Sequence, residues 1–356
     1  MVNQWVLKLL LLPLAILYGI GIAIRNGLYA VGLLRGVTFS IPVISIGNLT
    51  VGGTGKTPHT EYLIRMLHEY LPLAVVSRGY KRKTTGYLEV VPNHNATQSG
   101  DEPLQYKRKY PHVAVAVAES RSFAIPQVIR SHPSTRVVLL DDGYQHREVV
   151  PGLNILLTEY NRLFTKDWLL PVGRLREWRG GAKRADVIVV TKCPDRLPAA
   201  EMEEIRAAVT YDKSQQVFFS KYRYGLPYKM YGNGERITLS PELDVLLVVA
   251  IAGTEYLLEY VDSLSGDVRM LEYNDHHPFS NFDVGDIERH FKLMPEGRER
   301  IILTTEKDAM RLEKYSQEID GMPFYVLPIE HKFLFNEGDK FSQRIIDFVE
   351  NFNKPV

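Results

Sequence analysis

The sequence predicts an α/β protein: a domain built on a parallel sheet, a second, smaller α/β domain, and an apolar helix at the N-terminus. Three observations predict this arrangement. Short apolar runs alternate with stretches of helical spacing, as in parallel sheets whose strands are joined by crossover helices. A glycine-rich loop lies between the first such run and the first such stretch, and the chain begins with a long segment that is almost free of charge.

The overall composition is that of a globular protein. The chain has 356 residues, enough for two domains of ordinary size. Its formal net charge of +1 argues against a general nucleic-acid binder, because neutralising phosphates requires a clear excess of Lys and Arg. Cys193 is the single cysteine, which excludes an intramolecular disulfide and fits a reducing cytosol. We therefore expect no nucleic-acid partner.

The N-terminal segment differs from the rest of the chain. Residues 9–24 read LLLLPLAILYGIGIAI, without a charge, between Lys8 and Arg25. A helix that spans a membrane needs about 20 apolar residues, so this run is near the lower limit. A cleaved signal peptide and a buried core helix are the alternative interpretations. Because Arg25 and Arg35 follow the run, we expect residues 1–36 to form a membrane-anchor helix with the body on the cytosolic side.

Residues 37–225 are predicted to form the first domain. Several of its apolar runs have no polar face, which is typical of buried parallel strands. Helical spacing after Pro58 predicts the first helix at residues 59–70. The predicted strands are residues 42–46, 73–77, 113–118, 136–140, 154–158 and 187–191.

The pattern weakens at residues 221–240 into Gly, Pro and Tyr, which predicts a linker with a β-hairpin as one of its forms. A second α/β set follows, with strands at 245–252, 268–272, 300–304 and 324–327 and helices from Thr254 and at 283–291. We expect this smaller domain, with its hairpin linker, to occupy residues 226–340, and a C-terminal helix to occupy residues 341–356. A cleft between two such domains is a common place for a site.

The glycine-rich loop is the main chemical signal. It reads Gly52-Gly53-Thr54-Gly55-Lys56-Thr57 and joins a predicted strand to a predicted helix, the context of a P-loop. The glycines let backbone N–H groups turn inward around the phosphates at a helix N-terminus. Lys56 would bridge the β- and γ-phosphates, and the Thr57 hydroxyl would bind Mg²⁺. We expect a P-loop NTPase-like domain that binds ATP and Mg²⁺, although Thr50 stands where the strict pattern has its first glycine.

A P-loop also needs a carboxylate near its metal. The apolar strand at 136–140 ends in Asp141-Asp142, as a Walker B strand does, and either carboxylate can hold Mg²⁺ directly or through water. The alternative is a cap at the end of a strand. We expect both aspartates at the metal.

Two classes of P-loop switch fit less well. A partitioning-type ATPase would carry a second lysine at the position of Val51. A GTPase would carry a base-reading Asn-Lys-x-Asp motif, but Thr191-Lys192-Cys193-Pro194-Asp195 lacks the Asn and has a different spacing. A membrane-associated nucleotide switch or ATPase is the alternative function.

Further segments resemble one enzyme family, the tetraacyldisaccharide 4′-kinases of lipid A biosynthesis, from the N-terminal helix to about Asp308. These segments are Ser77-Arg78-Gly79-Tyr80, Gly100-Asp101-Glu102-Pro103, Asp141-Asp142-Gly143-Tyr144-Gln145-His146, Leu170-Pro171-Val172-Gly173-Arg174-Leu175-Arg176-Glu177, Asp275-His276-His277 and Thr305-Glu306-Lys307-Asp308. The resemblance implies transfer of the γ-phosphate of ATP, with Mg²⁺, to the 4′-hydroxyl of a tetraacyldisaccharide 1-phosphate, which forms lipid IVA. It also implies the cytoplasmic face of the inner membrane, with the lipid and the membrane surface as partners and no protein partner.

The resemblance implies catalytic roles as well. Asp101 is the expected catalytic base, His276 its partner in a dyad, and Lys56 the clamp on the phosphates. From the residues alone, Asp101 would equally suit a helix cap, and both His276 and the adjacent His277 would suit a surface loop.

The resemblance further implies that Tyr80, Arg121, Arg176 and Glu177 contact the substrate. Basic clusters at residues 78–83 and 174–184 suit the 1-phosphate of the lipid or anionic headgroups, with an ordinary solvated basic face as the alternative. Two departures from the family pattern are Tyr144, where Phe is common, and Trp178, where Pro is frequent.

Overall fold

The computed structural model describes residues 4–231 and 234–352, which form two sheets flanked by helices and one long N-terminal helix. The predicted fold class is confirmed. The strands are β1 Val43–Asn48, β2 Leu73–Ser77, β3 Leu88–Glu89, β4 Ala114–Val117, β5 Val137–Asp141, β6 Leu153–Glu159, β7 Val187–Thr191, β8 Gln216–Tyr224, β9 Tyr228–Lys229, β10 Leu243–Val249, β11 Val268–Glu272, β12 Glu299–Thr305, β13 Phe324–Leu327 and β14 Ile329–Phe333.

The α-helices connect these strands along the chain. They are α1 Gln4–Ala30, α2 Lys56–Leu67, α3 Ala96–Ser99, α4 Asp101–Lys109, α5 Arg121–Ser131, α6 Ala199–Val209, α7 Glu255–Asp262, α8 Asn281–Lys292, α9 Glu306–Leu312, α10 Ser316–Ile319 and α11 Gly338–Glu350.

The larger sheet has nine strands in the order β14-β8-β7-β6-β1-β5-β2-β4-β3. Its inner pairs are parallel, and only the edge strands β3 and β14 pair antiparallel. β1, which leads into the glycine-rich loop, lies between β6 and β5, with Ile46 opposite Asp141. Parallel strands end at the same edge of a sheet, so the loop and the two aspartates meet there.

The smaller sheet has five strands in the order β11-β10-β12-β13-β9, all parallel except β9. The segments that follow β10, β11 and β12 carry Ala252, His276 and Lys307. All three residues line the cleft against the glycine-rich loop.

The chain returns to the larger sheet near its end. β14 pairs antiparallel with β8, and Phe341 and Ile345 of α11 pack in the same core as Leu63 of α2. The expected range 226–340 therefore contains a strand that belongs to the nine-stranded sheet, because β8 offers a free edge there. Residues 1–3, 232–233 and 353–356, which fall in the expected anchor, linker and C-terminal helix, lie outside the described residues. The division into domains stays a prediction.

The core explains why the first-domain strands read as apolar on both faces. In β1, Ile44 and Ile46 pack on the face with Leu63 of α2, whereas Val43 packs on the opposite face with Val138 of β5. Helices cover both faces of the sheet, as in other doubly wound folds. Burying one such side chain stabilises the fold by roughly 1.5–3 kcal/mol.

Helix α1 is exposed along most of its surface. Val6–Ala30 is long and apolar enough to cross a membrane, with a mean hydropathy of 2.3 and only 11% of that window buried. About two-thirds of the surface of Leu9, Leu10 and Leu17 is exposed, at 67%, 70% and 65%. The alternative of a buried core helix is therefore wrong, and the helix fits membrane association.

One stripe of α1 docks on the body of the protein. The Tyr18 hydroxyl donates to the Arg176 carbonyl at 2.7 Å, and the Trp178 indole N–H donates to the Gly19 carbonyl at 2.9 Å. A Cβ atom at Gly19 would lie 2.6 Å from the Trp178 ring, so only glycine permits this approach. The helix is thus joined to the loop that precedes β7, close to the predicted site.

Candidate functional site

The glycine-rich loop has the backbone that a phosphate cradle requires. Gly52 and Gly55 adopt φ angles of 107° and 83°, a region that strains any L-residue with a Cβ. The Thr54 N–H donates to the Gly52 carbonyl at 3.1 Å, which closes the turn. α2 begins directly afterwards at Lys56. Its free N–H groups and dipole favour an anion at this point.

Lys56 is held in the cleft by neighbouring polar groups. Its Nζ lies 3.4 Å from Asn48 Oδ1 and 3.6 Å from a carboxylate oxygen of Asp142. The Asn48 amide in turn donates to the Thr54 hydroxyl at 2.9 Å. These contacts position the lysine over the loop.

The two adjacent aspartates after β5 have different surroundings. Asp141 accepts hydrogen bonds from the Thr60 and Ser77 hydroxyls, each at 3.3 Å, and burial raises its pKa to about 7. Asp142 is half-buried; desolvation opposes its ionisation, but Lys56 and Arg176 outweigh this effect and lower its pKa to about 2. The surroundings thus favour the anion of Asp142, whereas burial favours the protonated form of Asp141.

The donor set around Thr57 fits a magnesium ion better than a closed metal cage. In the part of the chain that the structure describes, no group of three or more His, Cys, Asp or Glu side chains could enclose a metal ion by itself. The Thr57 hydroxyl donates to Glu102 Oε1 at 3.1 Å, and both residues line the cleft. Mg²⁺ is typically bound by one or two protein oxygens, by substrate phosphates and by water, so this open arrangement suits it.

Asp101 and His276 meet across the two sheets. Asp101 begins α4, and its Oδ2 accepts a hydrogen bond from His276 Nδ1 at 3.0 Å. Burial opposes ionisation of Asp101, but the charge of Lys307 and the hydrogen bond from His276 lower its pKa well below the usual range. Arg311 Nε lies 3.5 Å from the same oxygen. Asp101 is therefore a buried anion.

The neighbouring histidine, His277, points away from Asp101 and toward Asp283. His277 Nε2 lies 3.1 Å from Asp283 Oδ2, and its ring stacks on Tyr273 at 4.9 Å. His276 reaches Asp101 by adopting a φ of 58°, held by its N–H bond to the Ala250 carbonyl at 3.0 Å. Such a backbone costs roughly 1–3 kcal/mol for a non-glycine residue and often marks a functional position.

Both sheets contribute to one cavity of about 310 Å³. Its walls carry the loop residues Lys56 and Thr57 on one side and Ala252, His276 and Lys307 on the other. A second cavity of about 440 Å³ adjoins it, shares Tyr80 and His276, and reaches Asp101. The predicted cleft is present, and its volume is in the range of small-ligand sites.

The four residues expected to contact substrate lie in different environments. Tyr80 is 54% exposed and lines both cavities. Arg176 donates to both carboxylate oxygens of Asp142, at 3.1 and 3.2 Å. Arg121 is buried and donates to the Glu119 carbonyl, and burial lowers its pKa to about 10. Glu177 is fully buried and accepts two hydrogen bonds from Arg184. The structure thus brings Tyr80 to the cleft, joins Arg176 to Asp142, and buries Arg121 and Glu177.

Three residues of the cleft had no role in the sequence interpretation. Glu102 accepts from Thr57, Lys307 donates to Glu102 at 3.0 Å, and Arg311 approaches Asp101. Glu102 and Lys307 stand inside segments that the family resemblance singles out, which was the available signal. Arg311 follows Asp308 by three residues on α9, a spacing that identifies it only once the helix is known.

A family profile described as "Tetraacyldisaccharide-1-P 4'-kinase" matches residues 7–350 of the chain. The chain is similar to the tetraacyldisaccharide 4'-kinase of Bacteroides thetaiotaomicron, with 44% identity over 98% of this chain and 93% of the relative. It is also similar to the protein of that name from Porphyromonas gingivalis, with 40% identity over 98% of each chain.

A solved structure has the same fold. The LpxK protein of Aquifex aeolicus, crystallised in complex with ATP, aligns with a TM-score of 0.72 and 28% identity, over 96% of this chain and 99% of the other. The match therefore includes both sheets and the cleft between them.

Proposed function

The chain belongs to the tetraacyldisaccharide-1-P 4'-kinase family, and we propose on that basis that it transfers the γ-phosphate of ATP to the 4′-hydroxyl of a tetraacyldisaccharide 1-phosphate, forming lipid IVA. One observation in the structure carries this function. His276, which is hydrogen-bonded to Asp101, lines the same cavity as Lys56 and Thr57 of the P-loop. A carboxylate that can accept a hydroxyl proton thus lies beside the phosphate cradle.

The first domain binds and orients the nucleotide. The N–H groups at the start of α2 and the ammonium of Lys56 hold the phosphates, which fixes the γ-phosphorus in the cavity. Thr57, Asp142 and Asp141 are the residues that would hold Mg²⁺. When bound, Mg²⁺ neutralises charge on the β- and γ-phosphates. Asp141 is suited to this because a nearby cation favours loss of its proton.

Asp101 acts on the acceptor. The 4′-oxygen attacks the γ-phosphorus, the bond from the γ-phosphorus to the bridging oxygen breaks, and ADP leaves. The hydroxyl proton passes to Asp101 and then to solvent. Because Asp101 is a weak base, we expect it to accept the proton late, as the new bond forms, and to orient the hydroxyl before that. His276 holds the carboxylate in place.

On the substrate side we assign contacts to Tyr80 and Arg176, with Glu177 connected to Arg176 through Gln145 and Arg121 buried against the Glu119 carbonyl and His146. Tyr80 presents an exposed ring beside His276, at 5.0 Å between centroids, where a sugar could rest. Arg176 carries a charge at the cleft that suits a phosphate of the lipid. Glu177 binds Arg184 and Gln145, so it shapes the loop that carries Arg176.

The membrane places the enzyme near its lipid. The exposed apolar face of α1 supports attachment to the cytoplasmic face of the inner membrane, where ATP is available. Removing residues 1–24 should lower the fraction bound to anionic lipid vesicles in a sedimentation assay, while ATP binding persists. An unchanged vesicle-bound fraction would contradict the anchor.

Transfer of labelled γ-phosphate from ATP to a tetraacyldisaccharide 1-phosphate in detergent micelles tests the proposed function. We expect label in the lipid and ADP formation that depends on the lipid. A nucleotide switch would instead hydrolyse ATP without labelling the lipid, and that outcome would overturn the kinase assignment. The family match does not favour this alternative.

A further inference from the structure

The Thr305-Glu306-Lys307-Asp308 segment delivers a lysine from the smaller sheet into the cleft. Thr305 ends β12 and caps α9, accepting from the Asp308 N–H at 3.1 Å. From this fixed start of the helix, Lys307 Nζ reaches to 3.2 Å from His276 Nε2 and 3.0 Å from Glu102 Oε1. A helix cap and two polar contacts thus define the position of the ammonium.

Lys307 remains charged in this position. Burial works against its positive charge, but the carboxylates of Glu102 and Asp101 outweigh burial and raise the pKa of Lys307. A lysine ammonium has three N–H donors and no acceptor. The contact with His276 is therefore a hydrogen bond from Nζ to an unprotonated Nε2.

The contact determines which nitrogen of His276 carries the proton. A neutral imidazole has one N–H group, so with Nε2 as acceptor that group is at Nδ1. Nδ1 faces Asp101 Oδ2 at 3.0 Å and donates to it. The reverse tautomer would require a proton on Asp101, which the lowered pKa of Asp101 opposes. The other charged group near Nε2, Asp275, is 3.8 Å away, beyond hydrogen-bond distance.

We propose that Lys307 is a positioning residue for phosphoryl transfer, whose ammonium holds His276 in the Nδ1–H tautomer and so orients the Asp101 carboxylate toward the acceptor hydroxyl. This inference rests on the proposed role of Asp101. It assigns His276 an orienting role, because its second nitrogen is already occupied by Lys307 and has no free position for a relayed proton.

The tautomer can be observed directly in the full chain. Long-range ¹H–¹⁵N spectra of ¹⁵N-histidine-labelled protein in detergent micelles distinguish Nδ1–H from Nε2–H rings, and a His276→Gln variant assigns the signal. The wild-type protein should show the Nδ1–H form. Lys307→Met should lose that form or mix it with the Nε2–H form, whereas Lys307→Arg should keep it. Lys292→Met removes an exposed lysine that pairs with Glu288 on the same domain, and it should change nothing.

Kinetics provide the second measurement. Lys307→Met should lower kcat by roughly 10- to 100-fold with the KM for ATP changed by less than about threefold, and Lys307→Arg should recover part of the loss. A Lys307→Met protein that keeps the Nδ1–H tautomer, or keeps kcat, would overturn the inference. Failure of the proposed function is separate: it would appear as wild-type protein that labels no lipid, whatever the tautomer.

Discussion

Asp141 and Asp101 are both buried carboxylates at one cleft, but their surroundings shift the pKa in opposite directions. Asp141 has two hydroxyl donors, from Thr60 and Ser77, and burial raises its pKa to about 7. Burial opposes the ionisation of Asp101 too, but cationic and hydrogen-bonding groups lower its pKa well below the usual range. Burial alone favours the neutral acid, so the partners of Asp101 decide that it is an anion.

Those partners come from the other sheet. His276 follows β11, and Lys307 and Arg311 lie on α9, which packs against α4. Asp141 and its two hydroxyl donors all belong to the larger sheet and its helices. The difference indicates that the surroundings of Asp141 come from one sheet and its helices, whereas an ionised, oriented Asp101 depends on contact between the two sheets.

Among changes on the larger sheet, where Asp141 lies, removing the charge at the phosphate cradle should have the largest effect on transfer. In Lys56→Ala, nothing replaces the ammonium 3.6 Å from Asp142, and phosphate charge is left unbalanced. We expect transfer to the lipid to fall by roughly 10³-fold or more. The labelled-phosphate assay measures this, with Lys213→Ala as an exposed-lysine control. A Lys56→Ala enzyme within about threefold of wild type would refute the role of Lys56.

His276 and His277 test whether Asp101 depends on a partner from the smaller sheet. His276→Gln should reduce kcat by roughly 10- to 100-fold, because Asp101 loses the donor that orients it. His277→Gln removes the contact with Asp283 and the stacking on Tyr273, neither of which involves Asp101, and should leave kcat within about twofold. Steady-state kinetics on both variants give the comparison. Equal losses in the two would contradict the assignment of His276 as the partner of Asp101.

Buried histidines without a carboxylate partner should affect stability and leave the transfer chemistry alone. His59 donates from Nδ1 to the Gly55 carbonyl at 2.7 Å, faces Ser220 at 3.1 Å, and stacks on His331 at 3.7 Å. Burial lowers the pKa of His59 to about 4 and that of His331 well below its usual range.

The sign of the pH dependence follows from these shifts. Between pH 4 and 6.5 the unfolded chain binds protons at these histidines and the folded chain does not, so stability is fully present above pH 6.5 and is lost as pH falls. His59 should contribute about 3 kcal/mol to this loss. Urea unfolding at several pH values gives the free energy of unfolding as a function of pH. Between pH 4 and 6.5 this free energy should change less steeply with pH in His59→Gln than in wild type or in His112→Gln, an exposed control. A slope unchanged by His59→Gln would contradict the prediction.

The sequence was sufficient for what depends on local pattern. Nine strands lie within two residues of their predicted positions, because buried parallel strands are continuous apolar runs; they are β1, β2, β4, β5, β6, β7, β11, β12 and β13. β10 ends three residues before its predicted end. The P-loop was predictable because Gly52 and Gly55 serve a backbone requirement. β14 was not, since Glu330 and Lys332 interrupt its apolar pattern, although His331 and Phe333 are buried, and its partner β8 is about a hundred residues earlier.

The site shows the same division. Asp101 and His276 were named from the family resemblance, and their 3.0 Å contact agrees with that expectation, although their catalytic roles stay a prediction. The choice between His276 and His277 could not be made from adjacent positions in the chain, because it depends on the φ of 58° at His276. The contacts of Lys307 depend on how two sheets dock, which no local pattern in the sequence encodes.

The most direct test of the comparison is an Asp101→Asn variant, assayed for both ATP affinity and phosphate transfer. Asp101 is not among the residues that line the cavity at the P-loop, so the Kd for ATP should stay within about threefold of the wild-type value. Transfer to the tetraacyldisaccharide should fall by roughly 10²- to 10⁴-fold, because the amide cannot accept the hydroxyl proton. Normal turnover in Asp101→Asn would contradict the assignment of Asp101 as the base that His276 and Lys307 of the smaller sheet keep ionised.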